Sequence, residues 1–279
     1  MGASTLAVGQ VGLGLAAAAH HKGYASHPRA TVRAVCDKDG DRARAFARAH
    51  GVGQVFVDFD EMLQRADIDA VDITTPTYLH TPMGAQAVAA GKHVLCEKPF
   101  CLDPDQGLAV CAAARRRGGA AHDPYRGDGV DIPIITWKHA GEEAHGVWMR
   151  AERLNGKFDY MRGFSTTVIG EEGLIQVLGE GGAGLDWAGQ AAHLLLHRRG
   201  KAVEALRFDE GGDDVWASEI SYYGQGHIRQ VHHFVEAVLA GQAPRYGGVD
   251  GVAAVRCTLA AIGSAQTGRP VRLDQAGAP

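Results

Sequence analysis

The stretch Gly9-Gln10-Val11-Gly12-Leu13-Gly14-Leu15-Ala16-Ala17 decides the fold. It lies between an apolar run with strand character, Thr5 to Val11, and an Ala-rich run with helix character, Leu15 to Gly23. Each small residue has a use in such a strand–turn–helix. One glycine makes the tight turn and a second lets the backbone approach a pyrophosphate. A third small residue, here Ala17, lets helix and strand pack closely. The helix N-terminus then presents unpaired N–H groups and the positive end of its dipole to phosphate.

Working outward, strand and helix signals alternate up to residue 118. Thr31 to Asp37 is a β-branched strand ending in an acid. Asp39 to His50 is a polar-faced helix closed by Gly51. Val55 to Val57, Ile68 to Thr74 and Lys92 to Cys96 read as further strands. Phe59 to Arg65, His80 to Ala90 and Asp103 to Arg117 read as the helices between and after them. Such alternation implies a parallel, doubly wound sheet buried on both faces. Near residue 118 the pattern changes to period-2 runs: Ile132 to His139, Gly146 to Leu154, Tyr160 to Ile169, Leu174 to Leu178 and Ala192 to His197. These predict a mostly antiparallel sheet. Two helices, His227 to Ala240 and Val249 to Thr267, and a short strand, Val271 to Leu273, complete the chain. The fold class is α/β: a Rossmann domain over 1–119 and an α+β domain over 120–279.

Bulk properties narrow the function. The chain has 279 residues and a net charge of −4, which does not suggest a nucleic acid or an anionic membrane as partner. The apolar run Leu6 to Ala19 has no basic residue before it, so it lacks a secretory n-region. No 18-residue apolar stretch reads as a membrane span. The five cysteines, Cys36, Cys96, Cys101, Cys111 and Cys257, have no regular spacing and read as reduced thiols in a cytoplasmic protein. No His/Cys set has metal-site spacing, so no metal is expected.

Three loops of unusual composition converge on the edge where open α/β sheets bind ligands, at the carboxyl ends of the strands. The glycine turn is the first. Asp37, about twenty residues on, suits adenosine ribose hydroxyls and repels a 2′-phosphate; it also reads as a cap. NAD is therefore the expected cofactor. Lys38 partly offsets that preference and keeps NADP open. The second loop is Thr74-Thr75-Pro76 with His80 in the next helix, and the third is Glu97-Lys98-Pro99.

These segments resemble the Gfo/Idh/MocA oxidoreductases, the glucose–fructose oxidoreductase and inositol dehydrogenase family. Gly12-Leu13-Gly14, Thr75-Pro76-Thr77-Tyr78-Leu79-His80 and Gly91-Lys92-His93-Val94-Leu95-Cys96-Glu97-Lys98-Pro99 carry the likeness. His233-Phe234, Ala237-Val238, Gly241 and Pro270-Val271-Arg272-Leu273 extend it. The resemblance implies hydride transfer between a nicotinamide cofactor and a sugar, cyclitol or related polyol, in a homo-oligomer paired through the C-terminal sheet. It implies that Gly12, Leu13, Gly14, Leu15, Ala16, Asp37, Lys38, Thr74, Thr75, Pro76, His80, Glu97 and Lys98 surround the cofactor. Lys98 is then the catalytic residue at the reacting oxygen. A hydride leaves a carbinol carbon only as the hydroxyl proton is removed, so a cation or acid/base group belongs there, and a lysine beside a cationic nicotinamide should have a lowered pKa.

The chain departs from the family after Arg115-Arg116-Arg117-Gly118-Gly119. The family continues there with a sixth Rossmann strand, early sheet strands and a helix bearing Gly-Gly-x-x-x-Asp-x-Gly-x-His. Here the sequence passes almost directly into His122-Asp123-Pro124-Tyr125 and the later strands. Gly181 to His193 has an Asp186-to-His193 spacing unlike that helix and reads as a turn before a strand. His122, His139, His145, His227, His232 and His233 are the other candidates for a base. A dinucleotide-binding protein of impaired catalysis is therefore the alternative function.

Overall fold

The structure is a computed structural model. It describes residues 5–116, 121–122, 134–138, 145–149, 165–170, 172–178, 194–206 and 222–273. The chain divides into two compact units, residues 1–127 with 227–279, and residues 128–226.

The first unit is built on a six-stranded sheet in the order β3-β2-β1-β4-β5-β6. Its strands are β1 (Leu6–Val11), β2 (Ala30–Cys36), β3 (Gln54–Phe56), β4 (Ala70–Ile73), β5 (His93–Cys96) and β6 (Ala121–His122). All neighbouring pairs are parallel. The strand order reverses between β1 and β4, and an open α/β sheet forms its ligand crevice at that switch point. β1 and β4 are buried along their whole length, as expected for strands covered on both faces.

The connecting helices are α1 (Leu15–Ser26), α2 (Gly40–His50), α3 (Phe59–Arg65), α4 (His80–Ala89) and α5 (Pro104–Arg116). Local chemistry sets their ends. Asp39 caps α2 by accepting from the amides of Asp41 and Arg42, and Gly51 closes it in the left-handed region at φ 69°. Asp58 caps α3 through the Glu61 amide. Asp103 accepts from the amides of Asp105 and Gln106 at the start of α5.

Two C-terminal helices, α6 (Tyr222–Leu239) and α7 (Gly248–Thr267), complete this unit. Ile228, Val231, Phe234 and Val235 of α6 are at most 2% exposed. The last three share a core cluster with Leu6, Val8, Tyr24, Ala70 and Leu95. Val252 and Val255 of α7 join the cluster that contains Val110, Cys111 and Ala114 of α5. The expected division at 119/120, which grouped these helices with the sheet domain, thus differs from the compact units. The physical reason is burial: the apolar faces of α6 and α7 are covered by the first unit's own core.

Two further expectations are corrected. The sixth Rossmann strand is present, as the two-residue β6. Val271 to Leu273 is not a strand; Val271 and Leu273 are 39% and 47% exposed. By length and composition α7 is apolar enough to cross a membrane, although it carries Asp250 and Arg256.

The second unit contains an antiparallel pair, β7 (Ile134–Lys138) with β8 (His145–Met149). It also contains an antiparallel four-stranded sheet ordered β12-β11-β10-β9. Its strands are β9 (Ser165–Gly170), β10 (Gly173–Leu178), β11 (Leu194–Arg198) and β12 (Glu204–Leu206). The two-part α/β architecture expected from the sequence is therefore observed. The Gly181 to His193 segment lies outside the described residues.

Candidate active site

The glycine turn has the geometry a phosphate cradle requires. Gly12 has φ 84°, and a Cβ there would lie 2.7 Å from the N, Cα and Cγ2 of Thr75. Gly14 is the N-cap of α1, and no side chain caps that helix. A Cβ on Gly14 would meet nothing within 4 Å, so the space over the helix N-terminus is open. Leu13 and Ala17 are buried, Ala16 is half-buried, and Leu15 is 94% exposed beside that opening. The turn is held from below: Thr74 Oγ1 donates to the Gly12 carbonyl at 2.7 Å, and Gly12 N donates to Cys36 O at 2.9 Å.

Asp37 at the end of β2 is 5% exposed. Its carboxylate accepts from Leu13 N at 2.9 Å, Asp39 N at 2.9 Å and Arg42 Nη1 at 3.3 Å. The acid therefore also fixes the glycine turn against the start of α2. Lys38 is exposed beside it.

The two other loops are tied together by His80. Its Nε2 lies 2.7 Å from Thr75 O and its Nδ1 2.8 Å from Pro99 O. The ring is 1% exposed, so it acts on the crevice by holding the β4 and β5 loops in register. Pro76 is exposed and Thr75 half-buried. The Lys98-Pro99 peptide is cis. Glu97 is buried, and its Oε2 accepts from Lys98 N at 2.9 Å; Lys98 itself is half-buried.

Beneath these loops lies a buried polar chain. His20 of α1 is fully buried. Its Nδ1 is 2.9 and 3.1 Å from the two carboxylate oxygens of Asp72 on β4, and its Nε2 is 3.2 Å from Glu97 Oε1. Gln10 of β1 donates to Asp72 Oδ2 at 3.0 Å, and its Oε1 meets His21 Nδ1 at 2.8 Å. His227 of α6 brings its Nε2 to 3.8 Å from Glu97 Oε1. Burial alone would lower the His20 pKa, but Asp72 and Glu97 outweigh it and push it up to about 10. Burial opposes ionisation of Glu97 too, yet His20 and the Lys98 amide bring its pKa below the ordinary carboxylate value. The side-chain N and O atoms of His20, Glu97 and His227 lie within 4.8 Å of one another.

The comparisons with known proteins agree with this geometry. The profile described as "Oxidoreductase family, NAD-binding Rossmann fold", that of the Gfo/Idh/MocA proteins, matches residues 6–122. Residues 6–122 are thus similar to the Gfo/Idh/MocA NAD-binding domain. A D-glucoside 3-dehydrogenase of Escherichia coli (strain K12) is 34% identical over 119 residues, 42% of this chain and 34% of that protein. A D-apiose dehydrogenase of Paraburkholderia graminis is 32% identical over 171 residues, 61% of this chain and 45% of that protein. The matched stretches thus span less than half the length of those curated relatives. The apo scyllo-inositol dehydrogenase of Lactobacillus casei has the same fold. Its TM-score is 0.70 at 17% identity, and the match covers 99% of this chain and all of that one.

Within residues 6–122, the residues named from the sequence all lie at the carboxyl edge of β1, β2, β4 and β5. Among the candidate bases whose side chains are described, only His227 is placed at the Glu97 loop. His232 Nε2 meets Ser26 Oγ at 2.9 Å and Gly23 O at 3.1 Å, and His233 Nε2 accepts from Arg245 N at 2.8 Å. His139 is outside the described residues, as are the side chains of His122 and His145. Sequence reasoning missed Gln10, His20 and Asp72. One signal was available: three polar side chains set in otherwise apolar, buried segments need partners.

Proposed function

We propose that this chain is an NAD-dependent oxidoreductase that moves a hydride to or from the carbinol carbon of a sugar, cyclitol or related polyol, with Lys98 at the reacting oxygen. The single observation that carries the reading is the meeting of an open glycine cradle with the Glu97-Lys98-Pro99 loop at one sheet edge. The cradle suits a dinucleotide, since a Cβ at Gly12 would strike backbone and the α1 N-terminus is left uncapped. Gly12, Leu13, Gly14, Leu15 and Ala16 would hold the pyrophosphate against the α1 dipole. Three of the roughly four lone-pair sites on the Asp37 carboxylate are used within the protein, leaving one for a ribose hydroxyl.

When bound, the nicotinamide supplies the hydride acceptor or donor. The chain's own part is proton handling and orientation. Lys98 binds the substrate oxygen and takes or returns its proton, and Glu97 fixes the Lys98 backbone. Such proton transfer contributes about 10²–10⁴ in rate. The names of the curated relatives, sugar dehydrogenases among them, support the substrate class.

NADH fluorescence titration tests the cofactor site, and no binding at millimolar NADH refutes the reading. NAD reduction over a panel of sugars and inositols tests the chemistry. Lys98→Ala should abolish turnover and leave NADH affinity within a few-fold; turnover that survives refutes the role of Lys98. Tight NADH binding without turnover favours the second reading, a dinucleotide-binding protein of impaired catalysis. That reading is motivated by the chain's short overlap with the relatives.

A further inference from the structure

Resting on the proposed role of Lys98, we infer that His20 is a positioning residue: a doubly protonated imidazole clamped between Asp72 and Glu97 that fixes the Glu97 carboxylate and, through it, the Lys98 backbone. The geometry is a chain of contacts: His20 Nδ1 lies 2.9 Å from Asp72 Oδ1 in a hydrogen bond, His20 Nε2 lies 3.2 Å from Glu97 Oε1 in an ion-pair contact outside hydrogen-bond alignment, and Glu97 Oε2 accepts from Lys98 N at 2.9 Å. Every member up to Glu97 is buried, with Asp72 and His20 at 0% and Glu97 at 5% exposure. Two ionised carboxylates set on either side of one buried ring each face a proton only if both ring nitrogens carry one. A neutral imidazole would leave one contact with acceptor facing acceptor, and an unpaired buried carboxylate oxygen is costly.

The surrounding groups agree with a cationic ring. From β1, Gln10 donates its side-chain amide to Asp72 Oδ2 at 3.0 Å. From α1, Tyr24 is buried near Asp72 with its phenol held neutral by burial and by that charge, and His21, linked to Gln10, is kept neutral by burial. From the β5 loop, Lys98 contributes positive charge that acts on Glu97. From α6, His227 faces the same Glu97 oxygen, with its ring centroid 5.5 Å from that of His20. The arrangement is the orienter-behind-orienter logic by which second-layer groups fix a working residue, and such groups change activity by about 10–100-fold when removed.

The test uses the full chain with His20→Gln and Asp72→Asn, each checked for folding by circular dichroism. ¹⁵N imidazole shifts of the wild type are expected to show His20 doubly protonated at pH 8. Asp72→Asn is expected to bring the His20 titration into the neutral range. In His20→Gln the Lys98 amide should exchange with solvent at least tenfold faster, while NADH affinity stays within about threefold. With a substrate in hand, kcat should fall by about 10–100-fold with KM little changed.

A neutral His20 at pH 7 in the wild type overturns the inference, as does unchanged Lys98 amide exchange in a folded His20→Gln. If His20→Gln fails to fold, the wild-type and Asp72→Asn shifts decide the matter alone. Because the shift and exchange measurements need no substrate, they stand even if no polyol is turned over, an outcome that would sink the proposed function instead.

Discussion

Gly12→Ala and Gly14→Ala, two residues apart in one turn, should fail in different ways. At position 12 the new methyl would lie 2.7 Å from three Thr75 atoms, two of them backbone, on a residue at φ 84°. The left-handed conformation costs a non-glycine residue about 1–2 kcal/mol, and overpacking against a fixed backbone adds about 1–3 kcal/mol. The sum, roughly 2–5 kcal/mol, is a large part of the usual 5–15 kcal/mol of stability. At about 2–4 °C per kcal/mol it lowers Tm by roughly 4–20 °C. At position 14 the backbone is extended, φ −88°, and the site is open. Only the weaker capping by Ala is lost there, about 0.5–1 kcal/mol. Yet that methyl points into the space a pyrophosphate must enter, so NADH affinity should fall at least tenfold. Thermal melts by circular dichroism and NADH fluorescence titrations read both quantities. Gly12→Ala melting within 2 °C of wild type, or Gly14→Ala binding NADH normally, would refute the reasoning.

Gly23→Ala places a methyl 2.7 Å from Val231 Cβ where α1 meets α6. It should destabilise by about 1–3 kcal/mol, and less when combined with Val231→Ala; purely additive urea-denaturation energies would exclude the contact. Stability should peak near pH 6–7. Burial, aided by His50, lowers the His21 pKa to about 4, so this residue's contribution is full above 6.5 and is lost as pH falls toward 4. The His20 pKa, raised to about 10, gives a contribution that is full below 6.5 and lost as pH rises toward 10. Urea midpoints from pH 4.5 to 9.5 check both limbs, and His20→Gln should flatten the alkaline one. Ellman's reagent should label one thiol quickly, the exposed Cys257, and the four buried ones only on unfolding. Burial also pushes the Cys36 thiol up to about 12. Two fast equivalents would contradict this burial pattern.

The sequence by itself determined what depends on near neighbours. The glycine turn, the alternation of strands and helices, and the loops ending β4 and β5 are each written in fewer than about a dozen residues. Their chemistry is set by backbone freedom, periodicity and caps, so they were legible without partners. Only the tertiary structure decided what joins them. His20, on α1, gains its meaning from Asp72 on β4 and Glu97 just after β5. His80 reads as a crevice residue in its own segment, but the fold turns both its nitrogens onto carbonyls of two loops. The helices α6 and α7 follow the second unit's strands in sequence, yet they belong to the first unit. An apolar helix face specifies that it must be covered, not by which surface, and a buried polar atom specifies that it needs a partner, not which one. Those choices were settled when β1, β4 and β5 came side by side.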